Sequence, residues 1–432
     1  MPYYDVCIVG ASFSGLTLAH HLPKELKVLI LDVKPEAGAT VESTGLITSK
    51  TRTEFSSFFP VDSYITNPIS AIAVIAPGLE DMFVSTVSAP WIYQTDTKAL
   101  VKALADRLPL NVTLRTKTAF IGVDNADHPT KVRIRSLGAE EEEINIAFLV
   151  GADGGHSKVA ETIPSLSKNT RFLFGYEQVF FGNVLRGPKP SETIYHYWFG
   201  EFSLGYGGWL SPTVIDGKPA FRIGLAKLLK DRGDAKQLTE KFLSNLIERG
   251  DVVLTDPTPH YVFGSHIPIN GIRQTISHNN TLLIGDAAGF CGAFAADGIK
   301  GSVISGKEAA ILIPQYLRGN IGALSKIHAR MDSHGGIIGY YRKQLLYRYI
   351  WDAMQKNRTF RAMFDIIAAE HETFLAQFCD SKDKHKSLVL TVVKWRHAFR
   401  LLRYAFFWLI DGASLMTRLF VSRFKHINLS AT

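Results

Sequence analysis

The residues best suited to chemistry lie where a strand meets a helix. Asp286 follows the apolar run Thr281–Ile284, and behind it comes a stretch made almost wholly of Ala, Gly, Phe and Cys. One carboxylate at a strand end, then a long run of small side chains, suits a large flat ligand with a phosphate laid against bare backbone. Gly10-Ala11-Ser12-Phe13-Ser14-Gly15 makes a second such junction. Gly10 permits the tight turn and Gly15 close helix–strand packing, and the helix N-terminus offers N–H groups and a positive dipole end to a pyrophosphate. Asp32, 22 residues after Gly10 at the end of the next strand, is placed to accept hydrogen bonds from a ribose diol. Ser12 stands where the glycine fingerprint has its middle glycine; its Cβ crowds a pyrophosphate, but its hydroxyl can bond one. A third junction, "VGADGGHSKV" (150–159), sets Asp153 between glycines at a strand end. Each has a plainer reading: a buried Ala/Gly-rich helix for the first, a ligand-free turn for the second and third.

The elements positioning these residues are legible in outline. "YDVCIVGASFSGLTLAHHL" and "KVLILD" read as a strand–helix–strand unit. "DTKALVKALADRL" is an amphipathic helix. Residues 170–275 alternate as antiparallel strands around one helix, "LTEKFLSNLIERG", and 325–378 are helical. After Asp286, Gly298-Ile299 opens a helix whose Ile299, Val303, Gly306 and Ala310 share one face. The nucleotide-type pieces are split by the antiparallel region. The expected fold is therefore α/β: a discontinuous Rossmann-type domain (1–60, 91–170, 276–325), an inserted antiparallel-sheet domain (61–90, 171–275) and a helical region, 326–432.

Composition narrows the classes. At 432 residues the chain has room for two to three domains of about 100–200 residues. Cys7, Cys291 and Cys379 are far apart, without metal spacing, so neither a disulfide framework nor a metal centre is expected. No signal peptide and no ordinary transmembrane helix is expected. The net charge of +8 is concentrated: residues 386–432 hold eight Lys/Arg against one acid, Asp411. A nearly neutral body with a basic, aromatic tail points to a membrane surface rather than nucleic acid, and to a cytoplasmic, peripheral-membrane protein. Trp395, Phe399, Leu402 and Phe406 form one apolar stripe there; the alternative is a helix packed on the protein's own core.

The three junctions, in this order, resemble the FAD-dependent superfamily of geranylgeranyl reductases, aromatic hydroxylases and flavin halogenases, over roughly residues 4–310. The geranylgeranyl reductase branch is the most similar: its loop "GDAAGFVNPFTGEGI" matches "GDAAGFCGAFAADGI" in length, and its YxWxFP stretch and GxG strand resemble "YGGWLSP" and "FRIGLA". The WxWxIP element of halogenases is not found. Ala293 replaces the loop proline, Ala296-Asp297 the Gly-Glu pair, Ser43-Thr44-Gly45 a Cys-Gly-Gly-type turn, and Thr97 an arginine whose phosphate contact is either lost or supplied by Lys98.

The resemblance implies FAD, held by Gly10, Ala11, Ser12, Phe13, Ser14, Gly15, Asp32, Val33, Ser43, Thr44, Gly45, Phe120, Asp153, Gly285, Asp286, Gly298 and Ile299. It implies hydride transfer from reduced flavin to a C=C bond of an isoprenoid lipid, with NADPH or a reduced iron–sulfur protein as electron donor. Tyr206, Trp209, Phe290 and Cys291 are the expected substrate residues, with Tyr195, Tyr197, Trp198 and Phe199 as further tunnel aromatics or, equally, sheet core. Cys291 can face substrate or simply fill core space. No catalytic acid is identified. Two other readings stay open: a flavin monooxygenase acting on an apolar substrate, and a flavoprotein that binds an apolar ligand without turnover.

Overall fold

The computed structural model describes residues 2–41, 43–197, 200, 205–229 and 234–429. Its first sheet has eight strands. Tyr3–Val9 lies at the centre, parallel to Val28–Leu31 on one side and to Glu141–Gly151 on the other. Val112–Arg115 and Thr281–Leu283 extend it in parallel at either flank. Val28–Leu31 is buried at every residue, which is why it reads as an unbroken apolar run and not as an alternation. The Gly298–Leu317 helix packs on the Phe13–His21 helix at Gly306, where a Cβ would fall 2.8 Å from the Ser14 carbonyl oxygen.

The second sheet is antiparallel apart from one pair of strands. Its order runs Val252–Leu254, Phe172–Val184, Lys218–Leu228, Gly205–Ile215, Thr193–Tyr197, Ala71–Ile75, Met82–Thr86, and Tyr261–Pro268 also pairs with Phe172–Val184. Thr193–Tyr197 and Ala71–Ile75 run parallel, which ties early chain to late chain. Ala235–Glu248 covers one face through Phe242 and Leu246. The other face looks towards the first sheet.

Among the described residues four helices of six or more residues follow, Ile327–Asp332, Ile337–Ala353, Asn357–Ala368 and His371–Asp383, and then a single turn, Val389–Val392. The last helix, Ala398–Leu429, is fastened back to them by Asp411. Its carboxylate accepts from the backbone N–H of Gln355 (2.9 Å) and Lys356 (3.0 Å) at the start of the Asn357–Ala368 helix. The apolar stripe faces outward: Trp395 is 91% exposed, Phe399 82%, Leu402 70% and Phe406 61%. Among the described residues no helix is long and apolar enough to cross a membrane.

Candidate cofactor and substrate site

One cavity of about 780 Å³ runs from the end of the Tyr3–Val9 strand, between the two sheets, to the four helices. At its first end stand Gly10, Ala11, Ser12, Phe13, Ser14, Asp32 and Val33. Gly10 has φ +109°, and a Cβ there would fall 2.3 Å from the Ala152 carbonyl oxygen, so only glycine fits. Gly15 lies behind the wall: its Cβ position is 2.0 Å from the Gly10 oxygen, which seals the turn. Asp32 fastens this loop, accepting from Ala11 N–H at 2.7 Å and Lys34 N–H at 2.8 Å, and each oxygen keeps a lone pair for a ligand hydroxyl. The Ser12 hydroxyl makes no capping bond with the helix it precedes.

Ser43, Thr44 and Phe120 also line the cavity. Gly45 stands behind them, at φ +71°, where a Cβ would lie 2.0 Å from Thr97 Oγ1. Thr97 thus packs under the turn, and neither it nor Lys98 reaches the wall. Asp153 is on the wall but already engaged, accepting from Ser157 Oγ (2.6 Å) and Val159 N–H (3.1 Å). Burial pushes its carboxyl up.

Asp286, Gly298 and Ile299 form the floor, while Gly285 sits beneath it, its N–H donating to Ser305 Oγ at 3.0 Å. Asp286 Oδ1 has no partner among the described residues, and a Cβ on Gly298 would sit 2.8 Å from it. Burial, and then the nearby Asp297 charge, push the Asp286 carboxyl up to about 6. A buried acceptor left open beside a bare helix N-terminus, facing a cradle that no side chain fills, fits a flavin dinucleotide.

The wall opposite the floor includes one rung of the second sheet. Val74, His196 and Trp209 lie abreast on three neighbouring strands, and all three line the cavity. Trp209 is fixed from behind: its Nε1–H donates to Glu177 Oε2 at 2.7 Å, and Gly224 leaves the space its ring fills, since a Cβ there would be 2.4 Å from the ring. Tyr206 joins this wall. Tyr195 and Tyr197, on the strand of His196, face the other side of the sheet with Phe242. Strand alternation sends the tyrosines to the core and the histidine to the cavity. Trp198 and Phe199 lie outside the described residues. Cys291 is on the wall, its thiol pushed well up by burial and the Asp286 and Asp297 charges, so it stays protonated. Phe290 is not brought to the wall; its ring packs in the core against Tyr341 and His328.

Further charged or polar groups reach the wall without having been singled out as site residues, His196, Asp297, Lys300, Arg348 and Lys382 among them. Burial lowers the His196 imidazole to about 4, with Lys382 adding to the effect, so the ring is neutral at ordinary pH. Asp297 and Lys382 pair at 3.6 Å. The Arg348 guanidinium is fully buried, with Nε and Nη1 unpartnered among the described residues. Beyond them the cavity is apolar, walled by Met354, Met363, Ile367, Phe374 and Phe378.

Comparison with known proteins agrees with this geometry. Residues 3–322 match the FAD binding domain family. The chain is 23% identical to digeranylgeranylglycerophospholipid reductase 3 of Methanosphaera stadtmanae, over 90% of this chain and 95% of the relative. It is 25% identical to digeranylgeranylglycerophospholipid reductase 1 of Methanothermobacter thermautotrophicus, over 72% and 78%. Its fold is similar to that of a geranylgeranyl bacteriochlorophyll reductase-like protein from Thermoplasma acidophilum (TM-score 0.74, 17% identity, covering 90% of this chain and 98% of that one). It is also similar in fold to p-nitrophenol 4-monooxygenase from Pseudomonas putida (TM-score 0.65, 14% identity, 89% and 98%). The chain belongs to the family of FAD binding domain proteins and is an FAD-dependent oxidoreductase.

Proposed function

We propose that the protein saturates C=C bonds in the prenyl chains of an isoprenoid lipid. The observation that carries this is the continuity of one cavity, from the dinucleotide cradle to a chamber walled by Met354, Met363, Ile367, Phe374 and Phe378. Bound FAD, once reduced, supplies the hydride. In this reading the N-terminus of the Phe13–His21 helix faces the pyrophosphate and Asp32 the ribose. Gly298 and Ile299 face the ring. The substrate domain (61–90 and 171–275) would cover the ring through Tyr206 and Trp209, with Cys291 beside it. The chamber excludes water and holds an apolar chain straight. Electrons would come from NADPH or a reduced iron–sulfur protein. The exposed Trp395, Phe399, Leu402 and Phe406, among Arg396, Arg400 and Arg403, suit the surface of an anionic membrane, where such a lipid resides.

The test is direct. The purified protein, reduced anaerobically with dithionite in the presence of geranylgeranyl lipids, should give products heavier by two-hydrogen steps. Unchanged lipids, with hydroxylated or epoxidised products once NADPH and air are admitted, would replace this reading with a monooxygenase.

A further inference from the structure

We propose that Lys382 is the proton donor of this reduction, held at the cavity by Asp297. The inference rests on the reductase reading above and supplies the acid that reading lacks.

Lys382 shares a helix face with two wall residues. Phe374, Phe378 and Lys382 recur every four residues in His371–Asp383, so the face that lines the chamber with rings ends in an ammonium. Nζ lies 5.4 Å from the Phe378 ring centroid on one side and 3.6 Å from Asp297 Oδ2 on the other. Asp297 immediately precedes Gly298, the start of the floor helix. The ammonium thus sits where the apolar chamber meets the end of the cavity assigned to the flavin ring.

An ion pair that merely held the fold together would look different. At 3.6 Å the pair is held by charge and is too long for a hydrogen bond. The Lys382 N–H groups have no acceptor among the described residues. Asp297 Oδ2 is already taken by the Tyr340 hydroxyl. A second cation, Lys300, stands beside the same carboxylate. Its Nζ donates to the Lys382 carbonyl oxygen at 2.7 Å and lies 3.3 Å from His385 Nε2. His385 Nδ1 is 2.6 Å from the carbonyl oxygen of exposed Gly335. That contact places the imidazole proton on Nδ1, so Nε2 carries a lone pair towards Lys300. Burial lowers the Lys300 ammonium to about 8 despite the Asp297 charge. His196, neutral on the sheet wall, has no proton of this kind to give.

The step balances. One alkene carbon takes the hydride from the reduced cofactor, which is thereby oxidised. The π pair forms a C–H bond at the other carbon with a proton from Lys382 Nζ, whose N–H bond breaks and leaves a neutral amine. Solvent admitted as the product leaves returns a proton to that amine.

The test compares Lys382→Met and Lys382→Arg with the wild-type holoenzyme. Arginine keeps a cation beside Asp297 but does not release its proton. Both variants should bind FAD and be reduced by dithionite as wild type is, yet saturate geranylgeranyl lipid about 100-fold more slowly or worse. An arginine or methionine variant close to wild-type rate overturns the proposal. A wild-type protein that leaves every such lipid unchanged overturns the reductase reading, and this with it. Labelling gives a readout separate from turnover. Acetic anhydride on the apoprotein, read by peptide mass, should modify Lys382 less when a saturated C20 prenyl lipid is bound, with exposed Lys236 unaffected. Equal labelling of Lys382 with that lipid bound overturns the proposal.

Discussion

Asp411 receives a hydrogen bond from the Thr359 hydroxyl at 2.7 Å, so one residue of the last helix completes the first turn of another. With its two backbone bonds, this carboxylate does for the Asn357–Ala368 helix what an N-cap side chain usually does from within the same helix. Asp411 is 1% exposed, so removing it leaves buried N–H groups without partners. Asp411→Ala should cost about 1–2 kcal/mol in thermal or urea unfolding. Limited proteolysis should then cut near residues 393–400 faster than in the wild type.

Asp352 is shared by two arginines: Arg171 at 2.9 Å from outside and the fully buried Arg348 from within. Substituting the two sides should therefore have unequal effects. Asp352→Asn leaves a buried guanidinium without its counter-charge and should destabilise by about 3–5 kcal/mol. Arg348→Met removes that cation while Asp352 keeps Arg171, and should be near neutral or stabilising. Chemical unfolding of the two variants in parallel tests the asymmetry, and equal losses would refute it.

His334 binds Glu308 at 2.7 Å and approaches Glu54 at 3.7 Å. Those carboxylates raise the imidazole to about 9, the Glu308 hydrogen bond contributing most. A folded-state value above the unfolded one near 6.5 means its stabilisation is complete below about pH 6.5 and is lost as pH rises through 9. Solvent reaches the ring and screens the pairs. His334→Gln should therefore cost on the order of 1 kcal/mol at pH 6 and little at pH 10. Unfolding midpoints measured across that range would show the two curves converging.

Gly306 sets how closely the helix opened by Gly298 approaches the Phe13–His21 helix. A Cβ there meets backbone, Ser14 O at 2.8 Å and Leu18 N at 3.0 Å, and backbone has little room to give. Gly306→Val should destabilise by about 1–3 kcal/mol and release FAD, because both helix N-termini shift together. Visible absorbance after purification, alongside unfolding, reads both effects.

The cradle was legible because its physics is local. Gly10, Asp32 and Asp286 occupy strand ends visible in the hydrophobic pattern, and a glycine that must approach backbone leaves a mark in the sequence. The far half of the cavity was not. His196 reaches it through strand parity, and a one-residue choice between faces put the tyrosines forward instead. Phe290 and Cys291 are neighbours in a tight turn, closed by Phe290 N–H to the Gly285 oxygen at 3.0 Å, and point opposite ways. Lys382 and Arg348 acquire their surroundings only when helices distant in sequence converge, and no local spacing announces that.

The match to FAD binding domains ends at residue 322, while the chamber beyond Asp297 is walled largely by residues 347–392. The far end of the chamber is thus encoded in a stretch of chain outside that match. Drift in the later stretch can lengthen, shorten or bend the chamber while every cradle contact is kept. Kinship judged on the first three hundred residues therefore reports the shared cofactor, and leaves the far wall of the chamber free to differ.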